Sequence, residues 1–384
     1  MRRRRREGSF QWLAVVAAAM LGGLVVVTLM STRLAHRGGV NPSPTPSAAA
    51  ATPASDYGPA PAGVNLIWVH DPNQADWLIG FDWSGMPRGT VKLDPGLVAD
   101  PNDKIGMAPN GQHLSIIAGN LPPAANGHYG PGGPLQVLDR LGRPTFSAPA
   151  NTNPLYGIQW ADDSRHACAT TQDPVSSNYE LWVADVGRGT TTVTQIAGGL
   201  RPGQSPGYLQ ACSVLKDRVI AVENVEGSAA EVWVLQESDA TVLSHHTYPA
   251  GAPWVVVASS DGEFIAEAGR STRIRRVSDW SVVATLANMQ VLQFSGDDSR
   301  VFVAPIDTQG NTTKVASVDW RTGLALWTVD KPVFVPDTRA ISEPGSQAFA
   351  VAVPTELGVP FPTVVTIVGG DGTAVDLGTY RSAF

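Results

Sequence analysis

The feature that most constrains this chain is a phrase that recurs along it: a small residue, a tight polar turn, and then an apolar run. Residues 294–305 read FSGDDSRVFVAP, while residues 160–171, 258–269 and 107–118 read WADDSRHACATT, ASSDGEFIAEAG and MAPNGQHLSIIA. Short apolar runs that alternate with other residues and are bounded by turn residues are typical of β-strands. The recurrence predicts a β-hairpin that is repeated along the chain.

A second phrase follows each copy of the first after a variable gap, and its spacing predicts the architecture. The residue after its apolar run serves as a marker, and the markers are Asp82, Asp139, Asp185, Gln236, Asp279, Asp319 and Gly369. Successive markers lie 40 to 57 residues apart, which is close to the length of a four-stranded propeller blade. We predict an all-β, seven-bladed β-propeller over residues 64–384. Six or eight blades are the alternatives, because the first blade lacks a clear innermost strand.

The repeats resemble those of bacterial WD40-like and TolB-type β-propellers, in which a small-x-Asp-Gly turn precedes an apolar strand and a later strand ends in Asp. The sequences SDW and VDW place Trp280 and Trp320 beside a marker aspartate, whereas the Trp-Asp dipeptide of the eukaryotic repeat does not occur. The resemblance covers residues 64–380 and implies the fold. It implies no particular activity, because such propellers bind proteins, glycans or small molecules, and a few are enzymes.

The N-terminal sequence predicts a membrane anchor. Five consecutive arginines, Arg2–Arg6, precede a segment with no charged residue between Glu7 and Arg33. As a helix, residues 12–30 would extend about 28 Å at ~1.5 Å per residue, which is enough to cross the bilayer core. A cleaved signal peptide is the alternative, although this apolar region is longer than usual for one.

The anchor sets the expected topology. The arginines favour a cytoplasmic N-terminus over residues 1–10, followed by an uncleaved transmembrane signal-anchor helix over residues 11–32 of the plasma membrane. Residues 33–63 are rich in Pro, Ala and Ser and predict a linker. The propeller would then lie outside the membrane. We expect a single span and an extracytoplasmic C-terminal domain.

Charge narrows the class of partner. The net charge is −7, and residues 1–37 contribute +6, which leaves −13 on the rest of the chain. Because residues 38–384 are this acidic and have no basic stripe, nucleic acid is not expected as a partner. A protein or a cell-envelope polymer is the expected partner.

The connections between strands predict where binding would occur. In a four-stranded blade, the A–B and C–D turns lie on one face and the B–C and D–A connections on the other. The A–B and C–D turns of this sequence are short, whereas the long connections are residues 119–134, 171–179, 197–208, 305–313, 328–337 and 354–362. Long loops on one face of a rigid scaffold commonly carry function, although they could also be tolerated insertions. The candidate binding residues are His128, Tyr129, Tyr179, Arg201, Tyr208 and Phe361.

The chain has two cysteines, Cys168 and Cys212, which the pattern places on the second strand of blade three and the first strand of blade four. Neighbouring blades pack face to face, and an extracytoplasmic compartment is oxidising, so a disulfide between them is plausible. Two buried free thiols are the alternative, because the pattern does not establish that the Cα atoms lie within bridging distance.

These features together predict a membrane-anchored binding or scaffolding platform. No catalytic residue, cofactor or metal site is predicted, since the marker aspartates come from different blades and would lie too far apart to share an ion. The alternative is a propeller enzyme, either lactonase-like or a quinone-dependent oxidoreductase. Such an enzyme would need several charged or histidine side chains that converge on the central channel.

Overall fold

In the computed structural model, the described residues are 57–71, 74, 76–93, 105–117, 135–147, 154–173, 176, 178–196, 207–225, 228–249, 253–335, 337–356 and 359–380. They form β-strands, turns and loops, and none of them lies in a helix. No helix that could cross a membrane occurs in this part of the chain. The predicted cytoplasmic end over residues 1–10 and the predicted span over residues 11–32 lie outside the described residues.

Seven antiparallel sheets follow one another along the chain. The strands of the first four sheets are β1 (Ile67–His70), β2 (Trp77–Phe81), β3 (Pro87–Lys92), β4 (Gly106–Met107), β5 (His113–Ile117), β6 (Leu135–Asp139), β7 (Pro144–Ser147), β8 (Pro154–Trp160), β9 (His166–Gln172), β10 (Tyr179–Asp185), β11 (Thr190–Gln195), β12 (Tyr208–Ser213), β13 (Arg218–Val225), β14 (Ser228–Leu235) and β15 (Val242–Thr247). The strands of the last three are β16 (Val255–Ala258), β17 (Phe264–Ala268), β18 (Thr272–Arg276), β19 (Val282–Leu286), β20 (Met289–Phe294), β21 (Val301–Pro305), β22 (Lys314–Asp319), β23 (Leu324–Asp330), β24 (Arg339–Ser342), β25 (Phe349–Glu356), β26 (Val359–Val368) and β27 (Ala374–Tyr380).

Each sheet is one blade of a propeller, and the prediction of seven blades is confirmed. Six sheets have four strands that pair in chain order, here named A to D from the centre outward. In the described residues, blade 1 has only three strands, β1 to β3. Its β2–β3 turn carries the marker Asp82, which identifies these strands as B, C and D. The innermost strand, which the sequence did not show clearly, is therefore the one that blade 1 lacks in this part of the chain.

The hydrophobic core is divided into seven clusters, one between each pair of neighbouring blades. The alternation of side chains along each strand explains this division, because successive residues point to opposite faces of a sheet. In blade 1, Trp68 packs toward blade 2 whereas Ile67 and Val69 pack toward blade 7. The cluster between blades 7 and 1 closes the ring.

The marker aspartates shape the outer turns, as the sequence predicted. Asp139 Oδ1 accepts the backbone N–H groups of Leu141 and Arg143, each at 2.9 Å. Asp82 and Asp279 accept equivalent bonds within their own turns. A carboxylate that bonds its own backbone in this way stabilises a tight turn.

The end of the predicted linker lies against the propeller. The Thr90 N–H donates to Gly58 O at 3.0 Å, and Pro59 forms an isolated parallel bridge with Thr90. Ala60 is buried in the cluster between blades 1 and 2, and its carbonyl accepts a hydrogen bond from Arg140 at 2.7 Å. Residues 57–63 therefore run along the outer edge of blade 1 before they enter β1.

Candidate binding surface

The A–B and C–D turns form one face of the ring, which we call the turn face, and their hydrogen bonds join blade to blade. The Ser260 N–H in blade 5 donates to Asp298 Oδ1 in blade 6 at 2.9 Å. The Val214 N–H in blade 4 donates to Asp162 Oδ1 in blade 3 at 3.0 Å. Burial raises the pKa of Asp298, although the bonds from Ser260 oppose this. The polar groups of these turns are thus largely occupied by the fold itself.

A charged clamp in blade 3 supports the same face. Arg165 donates to both carboxylate oxygens of Asp185, at 2.6 and 2.5 Å. These bonds lower the pKa of Asp185 to about 2, against the effect of burial. His166 Nδ1 lies 2.5 Å from Asp163 Oδ2 in the adjoining turn. Because every one of these groups is partnered within blade 3, the clamp is a structural feature.

The B–C and D–A connections form the opposite face, which we call the loop face, and several of them project from the ring. In blade 4, strands β13 and β14 continue until Val225 pairs with Ser228. In blade 7, strands β25 and β26 continue until Glu356 pairs with Val359. The loop predicted over residues 354–362 is therefore mostly a hairpin extension. Alternation alone did not reveal it, because Pro354, Pro360 and Pro362 interrupt the pattern expected of a strand.

The described loop-face turns of blade 5 are shorter than these hairpins. Its strand β17 ends at Ala268 and β18 begins at Thr272, while only Ala287 and Asn288 separate β19 from β20 of blade 6. The Ile306 N–H donates to Asn288 O at 2.8 Å, which joins the blade 6 loop to the connection between blades 5 and 6. The described connections of the loop face therefore differ in length from blade to blade.

The blade 6 loop over residues 306–313 is well supported by hydrogen bonds. Asp307 Oδ1 accepts the N–H groups of Gln309 and Asn311, each at 2.8 Å. Thr312 Oγ1 donates to Val333 O at 2.5 Å, which fixes the loop to the connection between blades 6 and 7. Phe334 follows directly and is exposed. This part of the loop face displays an aromatic ring on a fixed backbone.

The structure distributes the predicted binding residues unevenly. Tyr179 begins β10 and is half-buried against the cluster between blades 3 and 4. Tyr208 begins β12 of the next blade, and Phe361 lies within β26 rather than in a loop. The two tyrosines thus begin strands of neighbouring blades, and Phe361 belongs to blade 7. His128, Tyr129 and Arg201 lie outside the described residues.

Cys168 on β9 and Cys212 on β12 form a disulfide, with 6.2 Å between their Cα atoms. Both residues belong to the buried cluster between blades 3 and 4. The bond joins blade 3 to blade 4.

Sequence reasoning missed a buried charged cluster between blades 4 and 5. Glu267 on β17 is 1% exposed, and its Oε1 accepts hydrogen bonds from Tyr248 Oη at 2.8 Å and from Arg275 Nε. Arg273 Nε lies 2.9 Å from Glu267 Oε2 as an ion pair without the alignment of a hydrogen bond. The signal was present as four arginines within residues 270–276, but only the strand register shows that Arg273 lies directly opposite Glu267.

Aromatic rings from blades 4 and 5 lie beside this cluster. His246 stacks on Trp280 at 4.9 Å between ring centroids and meets the edge of Tyr248 at 4.7 Å. Burial lowers the pKa of His246, and the nearby Arg275 lowers it further. Burial also raises the pKa of Tyr248. Both shifts favour the neutral forms, so the charges of the cluster are those of one carboxylate and two guanidinium groups.

No group of three or more His, Cys, Asp or Glu side chains is placed to hold a metal ion within the described part of the chain. The charged side chains described above pair locally within or between neighbouring blades.

Comparisons with known proteins identify neither a family nor a function for this chain. No known protein family matches the chain, and no curated protein is similar to it in sequence. A chain of the mitotic checkpoint complex is 12% identical, with a TM-score of 0.48 over 74% of this chain and 82% of that chain. A eukaryotic initiation factor structure is 17% identical, with a TM-score of 0.44 over 88% of this chain and 90% of that chain. Similarity this low gives no information about what this chain binds.

Proposed function

We propose that this protein is a membrane-anchored, extracytoplasmic binding platform for a protein or cell-envelope component, and that its repeats place it among the TolB-type propellers. The observation that carries the proposal is the contrast between the two faces. On the turn face, carboxylates such as Asp162 and Asp298 bond neighbouring turns. On the loop face, two hairpins and the blade 6 loop project from the ring. On the loop face, a partner would meet side chains that are available for binding, on connections that differ in length from blade to blade.

Site-specific photo-crosslinking in living cells tests the loop face. A photoreactive phenylalanine analogue at Phe334 or Gln309 should capture a defined partner. The matched control is Leu215, which is 81% exposed at a turn of blade 4 on the turn face, and it should give no adduct. Adducts from Leu215 alone, or none from either loop-face position, would contradict the proposal.

The membrane anchor needs its own test, because it rests on residues 11–32 of the sequence. After a carbonate wash, the chain should remain with the membrane fraction, and a C-terminal epitope should be digested by protease added to spheroplasts. A variant that lacks residues 1–32 should be lost from the membrane. A chain that washes off, or an epitope that is protected in intact spheroplasts, would overturn the proposed topology.

A further inference from the structure

The cluster between blades 4 and 5 carries an excess of positive charge. One carboxylate, Glu267, faces two guanidinium groups, Arg273 and Arg275, while His246 and Tyr248 favour their neutral forms. The cluster therefore has a net charge of about +1, and the excess lies on Arg273, the more exposed of the two arginines. An anion that binds there would balance this charge.

The two arginines are not equally available to such a partner. Arg275 is 16% exposed and donates both to Glu267 and to Trp280 O, so little of its side chain is accessible to a ligand. Arg273 is 47% exposed. Within the described residues, its only partner is Glu267, which it meets through Nε. No hydrogen bond or further ion pair of its two terminal nitrogens occurs among the residues that the structure describes, and the exposure of the side chain leaves it accessible to a ligand.

Arg273 also lies at the loop-face end of its strand. It is the second residue of β18, directly after the short turn that contains Arg270. Arg270 is exposed and has no ion-pair partner in the part of the chain that the structure describes. On the other side of β17, the exposed Trp254 donates its backbone N–H to Ala268 O at 2.8 Å. Arg270, Arg273 and Trp254 thus all lie at the loop-face end of blade 5.

We propose that Arg273 and Arg270 form an anion-binding site that takes a carboxylate group from an acidic peptide segment of a protein partner. A guanidinium group with free terminal nitrogens forms two parallel hydrogen bonds with a planar carboxylate. Arginine and tryptophan are also the residues that most often dominate the energy of protein interfaces. The inference rests on the proposed function, since it names the chemistry of the partner on the loop face.

The surrounding charge favours a short acidic segment over a polyanionic polymer. Residues 38–384 carry a net charge of −13, so most of the surface repels anions. A segment with one or a few carboxylates can place them at the arginines. The successive charges of a polymer would extend over acidic surface, where like charges disfavour binding.

Binding of a fluorescein-labelled peptide that alternates Gly and Glu to the full-length protein tests the site by fluorescence anisotropy at low salt. Arg273→Gln should weaken the peptide affinity about tenfold, which corresponds to about 1.4 kcal/mol. The matched control is Arg276→Gln, which makes the same charge change in the same strand at similar exposure, on an arginine that is ion-paired with Asp279. The control should weaken binding less than about twofold, because it tests only long-range charge.

Equal weakening by the two variants, or no effect of Arg273→Gln, would overturn the inference. Tighter binding of inorganic polyphosphate than of the peptide would also overturn it, because the arginines would then prefer phosphate to carboxylate. If Arg273→Gln fails to fold, Arg270→Gln replaces it, since Arg270 has no described ion-pair partner to lose. If the peptide binds but no loop-face position crosslinks, only the proposed function is contradicted. If loop-face positions crosslink but the peptide does not bind, only the anion-binding site is contradicted.

Discussion

Replacing Glu267 with Gln should destabilise the protein far more than an ordinary surface change. The substitution removes the only carboxylate of the cluster and leaves Arg275, at 16% exposure, without its counter-charge. Removing one partner of a buried ion pair typically costs about 3–5 kcal/mol. The amide oxygen of Gln still accepts from Tyr248, so we expect a loss near the lower end, about 3 kcal/mol, in the free energy of unfolding.

The chain offers a matched control in the same pair of blades. Lys216 of blade 4 and Glu263 of blade 5 form an ion pair at 2.6 Å, but their side chains are 46% and 41% exposed. Exposed pairs contribute about 0–1 kcal/mol, because water screens them and ordering the side chains costs entropy. Glu263→Gln should therefore lower the free energy of unfolding by less than about 1 kcal/mol.

Guanidinium unfolding of both variants, followed by tryptophan fluorescence and by circular dichroism, measures the difference. Trp280 stacks on His246 inside the cluster, so fluorescence should report the loss of this junction. If both variants lose similar stability, or if Glu267→Gln is as stable as the parent, then the buried ion pairs of Glu267 within blade 5 contribute no more to stability than an exposed pair.

Three further predictions follow from single contacts. Changing Cys168 and Cys212 to Ala opens a 44-residue separation and should lower the free energy of unfolding by about 4 kcal/mol in oxidised protein; a loss equally large in protein that was already reduced would refute the bond. The lowered pKa of His246 favours its neutral form, so its contribution is complete above the unfolded pKa of 6.5 and is lost as the pH falls below it. The melting temperature of the parent should therefore drop more between about pH 7 and about pH 5 than that of His246→Phe, and parallel pH curves would count against this account. Gly111→Ala should lower the free energy of unfolding by several kcal/mol, because the φ of Gly111 is +70° and a Cβ would lie 2.3 Å from the carbonyl oxygen of Val64. Gly323→Ala, where φ is +75° and the space is open, should lower it by only about 1–2 kcal/mol. Thermal melts of the two variants measure the difference.

The sequence by itself determined the repeat, and with it the fold. Each blade must bury both faces of its sheet, so turn signals and apolar alternation recur in every repeat at a similar distance. The role of the marker aspartates was also predictable, because Asp139 and its equivalents bond backbone groups within a few residues of themselves. Local interactions of this kind need no knowledge of what lies across the ring.

The tertiary structure decided what depends on register and on neighbouring blades. Phe361 was predicted in a loop but lies in strand β26, which pairs with β25. This pairing outweighs the low strand propensity of the prolines on either side of Phe361. The arginines near Glu267 were visible in the sequence but their cluster was not, since Tyr248 and His246 reach it from blade 4 while Arg273 and Arg275 reach it from blade 5. A charge is costly or harmless according to its burial and its partners, and both are set only when two separately encoded sheets pack together.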